Sequence, residues 1–188
     1  MAGKKVLKKI GKKKKWFDIS LPANLNGGIF SQGFCEAPED LIGKTINVSL
    51  GDAISSPMKK HINLKLKITS VKTSIAQTEV KALEVNSAYL LRKSKKNSKV
   101  SAKASGSSSD GFKIDASFCV ITYGHCISTA KSIMRKMLRD YLLKTIKESK
   151  KDALIVGAIN NSIALNVKKS LHKIFPVKSV ELEKLKIL

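Results

Sequence analysis

Length, composition and charge already restrict what this chain can be. Its 188 residues are 43% hydrophobic, enough apolar surface for the core of one ordinary domain. Lysine and arginine total 36 against 14 acidic residues, a formal net charge of +22, and a body so charged repels itself unless an anion neutralises it. We therefore expect a polyanionic partner. Because no apolar run approaches the roughly 18–20 residues of a membrane span, we exclude membrane insertion and secretion.

The first residues differ in character from the rest of the chain. Residues 1–15 hold eight lysines, no acid and few apolar side chains. Such a segment cannot offset the entropy of ordering itself, so we expect a disordered basic tail that becomes ordered on a nucleic acid. We interpret residues 16–188 as a single α+β domain.

Alternation of apolar and polar residues predicts several half-buried strands, which are clearest in residues 61–71 and 112–122. The first of these is expected to pair antiparallel with residues 73–85. Residues 92–110 predict a lysine-rich strand that leads into a long, mobile hairpin tip. Short strands at this spacing favour a barrel-like antiparallel sheet, because closure removes exposed edges. Further strands are predicted in residues 16–21, 44–50 and 179–188.

After Gly124 the apolar period changes to that of helices. A basic amphipathic helix is predicted from about Ser128, its N-cap, and a second helix from about Asn161 to Pro176. The predicted fold class is thus α+β, an antiparallel β-barrel-like curved sheet flanked by two to three helices, with a disordered basic N-terminal tail. The side chains of the first helix expected to dock on the sheet are Ile133, Met134, Met137, Leu138, Tyr141 and Leu142.

The sequence offers little for catalysis or metal binding. His125 and Cys126 are adjacent, so on an extended segment their side chains point apart rather than forming a thiolate–imidazole pair. With Cys35 and Cys119 they are the available set of zinc ligands, and they lack the paired spacing of structural zinc sites. We therefore predict that the chain is not an enzyme, takes no metal or cofactor, and keeps its cysteines as buried or partly buried thiols.

The lysine clusters favour nucleic acid as the partner. Residues 1–15 and 91–109 contain no acid, and the long helix adds a third basic stripe. Each cation that neutralises a phosphate releases a condensed counterion, which gives sequence-independent affinity. Since about 33 of the 36 cations are lysines, backbone neutralisation is favoured over base readout. The predicted contact residues are Lys12, Lys13, Lys14, Lys15, Trp16, Arg92, Lys93, Lys95, Lys96, Lys99, Lys131, Arg135, Lys136 and Arg139.

Several stretches together resemble a known family. They are KKKKWFDISLP, IGKTINVSL, DGFKIDASFCVITY, IMRKML and HKIFPVKSVELEKLKIL, which follow one another in the family's order and span most of the chain. In this combination the chain resembles the small-subunit ribosomal proteins of archaea and eukaryotes called eS1, or S3Ae. It departs from the family pattern around residues 84–110.

The resemblance implies a structural role without catalysis. A protein of this family would lie on the small-subunit platform near the messenger exit, against ribosomal RNA and neighbouring ribosomal proteins, and a contact with messenger RNA near the exit stays open. The expected location is the cytoplasmic ribosome, with transient passage through the nucleolus in a eukaryote; no membrane is expected as a partner. The alternative, from another functional class, is a free RNA-binding regulator or RNA chaperone.

Overall fold

The structure, a computed structural model, describes residues 14–25 and 27–188. Most of the predicted tail therefore lies outside the described residues, while Lys15 already belongs to the first strand. The strands are β1 (Lys15–Ser20), β2 (Ile29–Cys35), β3 (Thr45–Ser49), β4 (Ile62–Lys72), β5 (Ile75–Val85), β6 (Lys99–Ser107), β7 (Lys113–Thr122) and β8 (Val177–Ile187); the helices are α1 (Leu50–Ala53), α2 (Ser87–Ser94), α3 (Ser128–Glu148), α4 (Lys151–Ile159) and α5 (Ser162–Leu171).

All eight strands belong to one mixed sheet that branches at β5. One edge of β5 pairs antiparallel with β4, which in turn pairs with β3. The other edge pairs in parallel with β1 over residues 75–77, and antiparallel with β8 over residues 82–84. Beyond these partners the sheet continues to β2 on one branch and through β7 to β6 on the other. The prediction of an entirely antiparallel sheet is therefore wrong at the β1–β5 pair.

The sheet is not closed into a barrel. Within residues 14–25 and 27–188, strands β2, β3 and β6 each pair along a single edge. Helix α3 packs against β6, and α5 packs against β8. Helices α3 and α5 thus cover part of the sheet that we expected barrel closure to protect. The outer edges of the three terminal strands remain without a strand partner in the described residues.

The helical content exceeds the prediction of two to three helices, since the described residues form five. Helix α3 begins at Ser128 as expected, but its N-cap is Ile127 rather than Ser128. Helices α1, α2 and α4 were not predicted. The apolar residues of α4 cover most of its circumference and leave no clear period, and α2 is a short helix that overlaps the basic segment predicted as extended only at residues 92–94.

The hairpin between β6 and β7 is tight rather than long. Gly111 adopts φ +81°, and its N–H donates to the Ser108 carbonyl at 2.9 Å. The Ser108 N–H in turn donates to the Phe112 carbonyl at 2.9 Å. Much of the serine–glycine cluster that suggested a mobile tip therefore belongs to β6, and the prediction of a long tip is wrong.

A large hydrophobic cluster joins α3, α4 and α5 to the inner face of the sheet, and a smaller one lies beneath β1 and β2. Small residues on β6 bring α3 close. Ala102 and Ala104 are buried there, and a Cβ on Gly106 would come within 3.3 Å of the Ile146 side chain. Since a Cβ at that position would be closer to Ile146 than ordinary van der Waals contact, the small residues of β6 allow this helix to approach the sheet closely.

Candidate nucleic-acid interface

Helix α3 buries one stripe of apolar residues and leaves most of its predicted contact residues exposed. Its buried positions follow one another at intervals of four, from Met134 through Leu138 and Leu142 to Ile146. Arg135, Lys136 and Arg139 are exposed, while Lys131 is half-buried. The predicted docking face was too wide, because Ile133 and Met137 are 48% and 40% exposed. The stripe of i, i+4 residues is enough to anchor the helix, which leaves most of its circumference free.

The turn between α2 and β6 brings further lysines to the start of α3. Lys95 and Lys96 are exposed on this turn, and Lys96 has φ +64°. The turn is tied to the segment before α3 by two hydrogen bonds, from the Gly124 N–H to Asn97 Oδ1 and from the Cys126 N–H to Ser98 Oγ, both 3.1 Å. The turn is thus held beside the segment that leads into α3. We call the cations of this turn and of α3 the basic edge: Lys95, Lys96, Lys131, Arg135, Lys136 and Arg139.

Side-chain geometry also joins α3 to β6 at this surface. Arg135 Nε donates to the Ser101 carbonyl at 3.4 Å, which orients the guanidinium along the edge strand. Arg92 lies on α2, exposed, with Nε 3.4 Å from the Ala88 carbonyl of its own helix. The carbonyl partners of both arginines are neutral, so their positive charge remains available to an anion.

Two predicted contact residues are engaged within the protein. Lys93 Nζ lies 2.5 Å from Glu181 Oε1, and Lys99 Nζ lies 2.5 Å from Glu183 Oε1. Burial lowers the pKa of Lys93, but hydrogen bonds to Glu181 and the Tyr89 hydroxyl outweigh that effect and raise it. These lysines therefore link α2 to β8, and β6 to β8 across the intervening β7, and their charges are balanced there.

Lys14, Lys15 and Trp16 belong to a different part of the sheet, over the smaller hydrophobic cluster. All three are exposed, whereas Lys12 and Lys13 lie outside the described residues. Trp16 faces Phe34 across the β1–β2 ladder, with ring centroids 4.7 Å apart. Phe34 was not predicted as part of a site, because β2 lacks clear alternation and its register against β1 cannot be deduced from either segment alone.

Some cations of the protein form ion pairs with acidic side chains, and others do not. The described residues contain ion pairs that engage Lys60, Lys65, Lys93, Lys99, Lys103, Lys144, Lys151 and Lys184. None of the six cations of the basic edge is among them. Because the whole chain has only 14 acids for 36 cations, a large unpaired surplus is unavoidable, and on α3 it is concentrated on an exposed helical face.

The cysteines are all buried, as expected. Burial, reinforced by the nearby Glu183 carboxylate, raises the pKa of the Cys119 thiol to about 12, so this sulfur stays protonated and unreactive at neutral pH. In the described part of the chain, no cluster of three or more His, Cys, Asp and Glu side chains has an arrangement suited to a metal ion. Nor does any helix there have the length and apolar character needed to span a membrane.

This is a basic α+β domain with cations on a packed helix and an adjoining turn. Such domains belong to the class of proteins that contact the phosphate backbone of nucleic acids. The family model of the Ribosomal S3Ae family matches residues 2–188, and the chain belongs to this family. The resemblance seen in the sequence is thereby confirmed. Membership makes the chain a structural ribosomal protein of the small subunit rather than an enzyme.

Relatives in several archaea match nearly the whole chain. The small ribosomal subunit protein eS1 of Desulfurococcus amylolyticus is 27% identical over 186 residues, which cover 97% of this chain and 86% of the relative. The eS1 protein of Pyrobaculum arsenaticum is 32% identical over 179 residues, covering 93% and 80%. That of Methanobrevibacter smithii is 26% identical over 178 residues, covering 94% and 92%.

Proposed function

We propose that this chain binds ribosomal RNA by neutralising backbone phosphates with the basic edge, and that residues 1–15 act as an RNA-binding tail on a single domain formed by residues 16–188. One observation carries the proposal. Arg135, Lys136 and Arg139 are exposed on a helix that Leu138 and its buried neighbours anchor in the core. The backbone that carries these cations is already ordered, so only side-chain entropy is lost when phosphates bind.

The position in the particle is the second part of the proposal. We propose that the protein lies on the small-subunit platform near the messenger exit, against ribosomal RNA and neighbouring ribosomal proteins, because its family resemblance implies that position. A contact with messenger RNA near the exit belongs to the same proposal, as does passage through the nucleolus in a eukaryotic cell. Crosslinking of the protein within purified small subunits tests this placement, and crosslinks confined to regions remote from the messenger exit would contradict it.

Two double variants with the same change in charge test the basic edge. Lys95→Gln with Lys136→Gln removes two unpaired cations from it, whereas Lys60→Gln with Lys103→Gln removes two exposed lysines that pair with Asp52 and Asp115. Affinity for small-subunit ribosomal RNA is measured against salt concentration. We expect the first variant to reduce the log–log salt slope by about 0.7–0.9 for each phosphate that the protein no longer neutralises, and the second to leave it nearly unchanged.

Equal reductions in both variants would show that net charge alone drives binding, and would refute the basic edge as an interface. Thermal unfolding of each variant shows whether a weaker affinity comes from misfolding.

Sedimentation of cell lysate through high salt distinguishes the ribosomal role from a free RNA-binding regulator or chaperone. Stable co-migration with small subunits supports the structural role, and a predominantly free pool supports the regulator.

A further inference from the structure

The outer face of the β1–β2 hairpin bears two large aromatic rings that the hydrophobic core does not use. Trp16 is 64% exposed and Phe34 is 51% exposed, although both lie in regular strands. Their neighbours Phe17 and Cys35 are buried in the smaller cluster, so the alternation of the strands directs Trp16 and Phe34 outward. We call these two residues the aromatic pair.

The geometry of the aromatic pair leaves ring surface open to a ligand. The two ring centroids lie 4.7 Å apart with an interplanar angle of 38°, so the rings support each other without stacking face to face. Each is fixed by a strand backbone, because Trp16 and Phe34 are directly opposite in the β1–β2 register. A flat aromatic ligand can therefore bind them without first ordering a flexible loop.

One cation lies beside the aromatic pair on the same face of the hairpin. Lys14 Nζ is 5.7 Å from the centroid of the Phe34 ring. Lys15 is also exposed, but the alternation of β1 directs its side chain to the opposite face. Asp18 places a carboxylate on the face of the pair further along β1, and Glu36 is exposed just after β2 ends. A ligand with a planar ring and one anionic group is thus favoured with its anion at Lys14 and away from these carboxylates.

We propose that the aromatic pair is a stacking site for an unpaired nucleotide of single-stranded RNA, whose base lies on the rings while its phosphate contacts Lys14. An unpaired nucleotide combines an accessible base face with a phosphate, whereas bases within a duplex already stack on one another. This inference rests on the proposed function, since it refines how the chain contacts RNA. It adds a base contact to an interface otherwise made of phosphate contacts.

The single tryptophan of the chain makes the site directly observable. The full-length protein is titrated with a short adenine oligoribonucleotide and with an abasic oligomer of the same length and phosphate count. We expect Trp16 fluorescence to be quenched by the first and not by the second. We also expect affinity for the oligonucleotide with bases to exceed that for the abasic one by roughly fivefold to a hundredfold, the range typical of one stacked base.

Variants assign the effect to the two rings. Trp16→Ala and Phe34→Ala are each expected to reduce the preference for bases at least fivefold, while Trp16→Phe retains most of it. Phe112→Ala is the matched control, because Phe112 is 42% exposed but has Lys151 Nζ 4.5 Å from its ring centroid in place of an aromatic neighbour. Its preference for bases is expected to remain that of the unmodified protein.

The outcomes of these titrations separate this inference from the proposed function. Equal binding of both oligomers, without quenching, would refute the stacking site while leaving phosphate binding by the basic edge intact. Failure to bind either oligomer or ribosomal RNA at low salt would refute both. Quenching that persists in Phe34→Ala, with an unchanged preference for bases, would show that Trp16 acts without the pair and would overturn the site as proposed.

Discussion

Helix α3 should tolerate the truncation of an apolar side chain very differently on its two sides. Leu138 is 0% exposed and contacts the main core, whereas Ile133, five residues earlier on the same helix, is 48% exposed. We predict that Leu138→Ala destabilises the protein much more than Ile133→Ala. The comparison is informative because the sequence pattern alone assigned both residues to the docking face.

The expected magnitudes follow from burial. Truncating a buried Leu to Ala removes the transfer free energy of the side chain and leaves a cavity, in total about 2–5 kcal/mol. Truncating Ile133 removes only about half of the roughly 1.5–3 kcal/mol of full burial and leaves no enclosed cavity. Alanine also recovers about 0.4 kcal/mol of helix propensity there, so the net cost is about 0.5–1 kcal/mol.

Thermal unfolding of the free protein measures the difference. At about 2–4 °C per kcal/mol for a chain of this size, Leu138→Ala should lower Tm by roughly 4–20 °C and Ile133→Ala by roughly 1–4 °C. The double variant Arg135→Glu with Lys136→Glu should leave Tm nearly unchanged while weakening RNA binding. If Ile133→Ala cost as much as Leu138→Ala, or if the charge reversal unfolded the protein, the assignment of core and basic faces on α3 would be wrong.

Three further predictions concern other parts of the fold. Burial raises the pKa of Glu183, but hydrogen bonds from Lys99, Ser117 and Ser101 outweigh burial and hold this pKa below 4.5. The charged Glu183 therefore stabilises the fold above that pH, and this stabilisation is lost as pH falls through the lowered pKa. Glu183→Gln should therefore flatten the fall of Tm below about pH 5, and a fall as steep as that of the unmodified protein would contradict this role of Glu183. The thiols, all buried, should resist alkylation at about pH 8 in the native protein and react fully in guanidinium chloride; rapid labelling of native Cys119 would contradict its raised pKa. Finally, a Cβ at Gly51 would lie 2.7 Å from the Lys60 backbone nitrogen and 2.8 Å from the Ser56 carbonyl oxygen. Gly51→Ala should therefore lower Tm even though alanine favours helices, and an unchanged Tm would refute this packing.

The sequence predicted the elements whose burial pattern is regular. The alternation survives over residues 62–69 of β4 and over residues 113–118 of β7, because one face of each strand lies on the main cluster; beyond residue 118 both faces of β7 are buried. Helix α3 was recognisable for the same reason. The width of its docking face was overestimated, since any apolar residue at helical spacing resembles a core residue until the neighbouring strand is known.

Elements defined by tertiary contacts could not be predicted in this way. The parallel pairing of β1 with β5 joins segments separated by more than fifty residues, and no local pattern distinguishes it from an antiparallel pair. Helix α2 does have a local sequence signal, since Asn86 is its N-cap. The Asn86 side chain accepts a hydrogen bond from the Ala88 N–H at 2.9 Å. The run of lysines that follows obscured this cap.

The candidate site was predicted by composition but not by location. A count of lysines treats Lys93 and Lys96 alike, yet Glu181 neutralises the first while the second remains exposed on a turn. Which lysine finds a glutamate depends on how α2 docks against β8, and that docking is a property of the folded chain. Charge counting therefore predicts the chemistry of the partner, and only the fold distinguishes lysines that hold the protein together from those free to bind the partner.

Four of the chain's acids form ion pairs on the sheet rather than on α3. Glu84, Asp115, Glu181 and Glu183 lie on β5, β7 and β8, on the outer face of the sheet opposite the side that packs against α3, and each is paired with a lysine. Helix α3 carries two acids of its own: Glu148 lies 4.0 Å from Lys144 in an i, i+4 pair, and the exposed Asp140 follows Lys136 by four residues. The acids on the far face of the sheet provide cross-strand ion pairs there, so Asp140 is the acid on α3 best placed to weaken the attraction of the basic edge for phosphate.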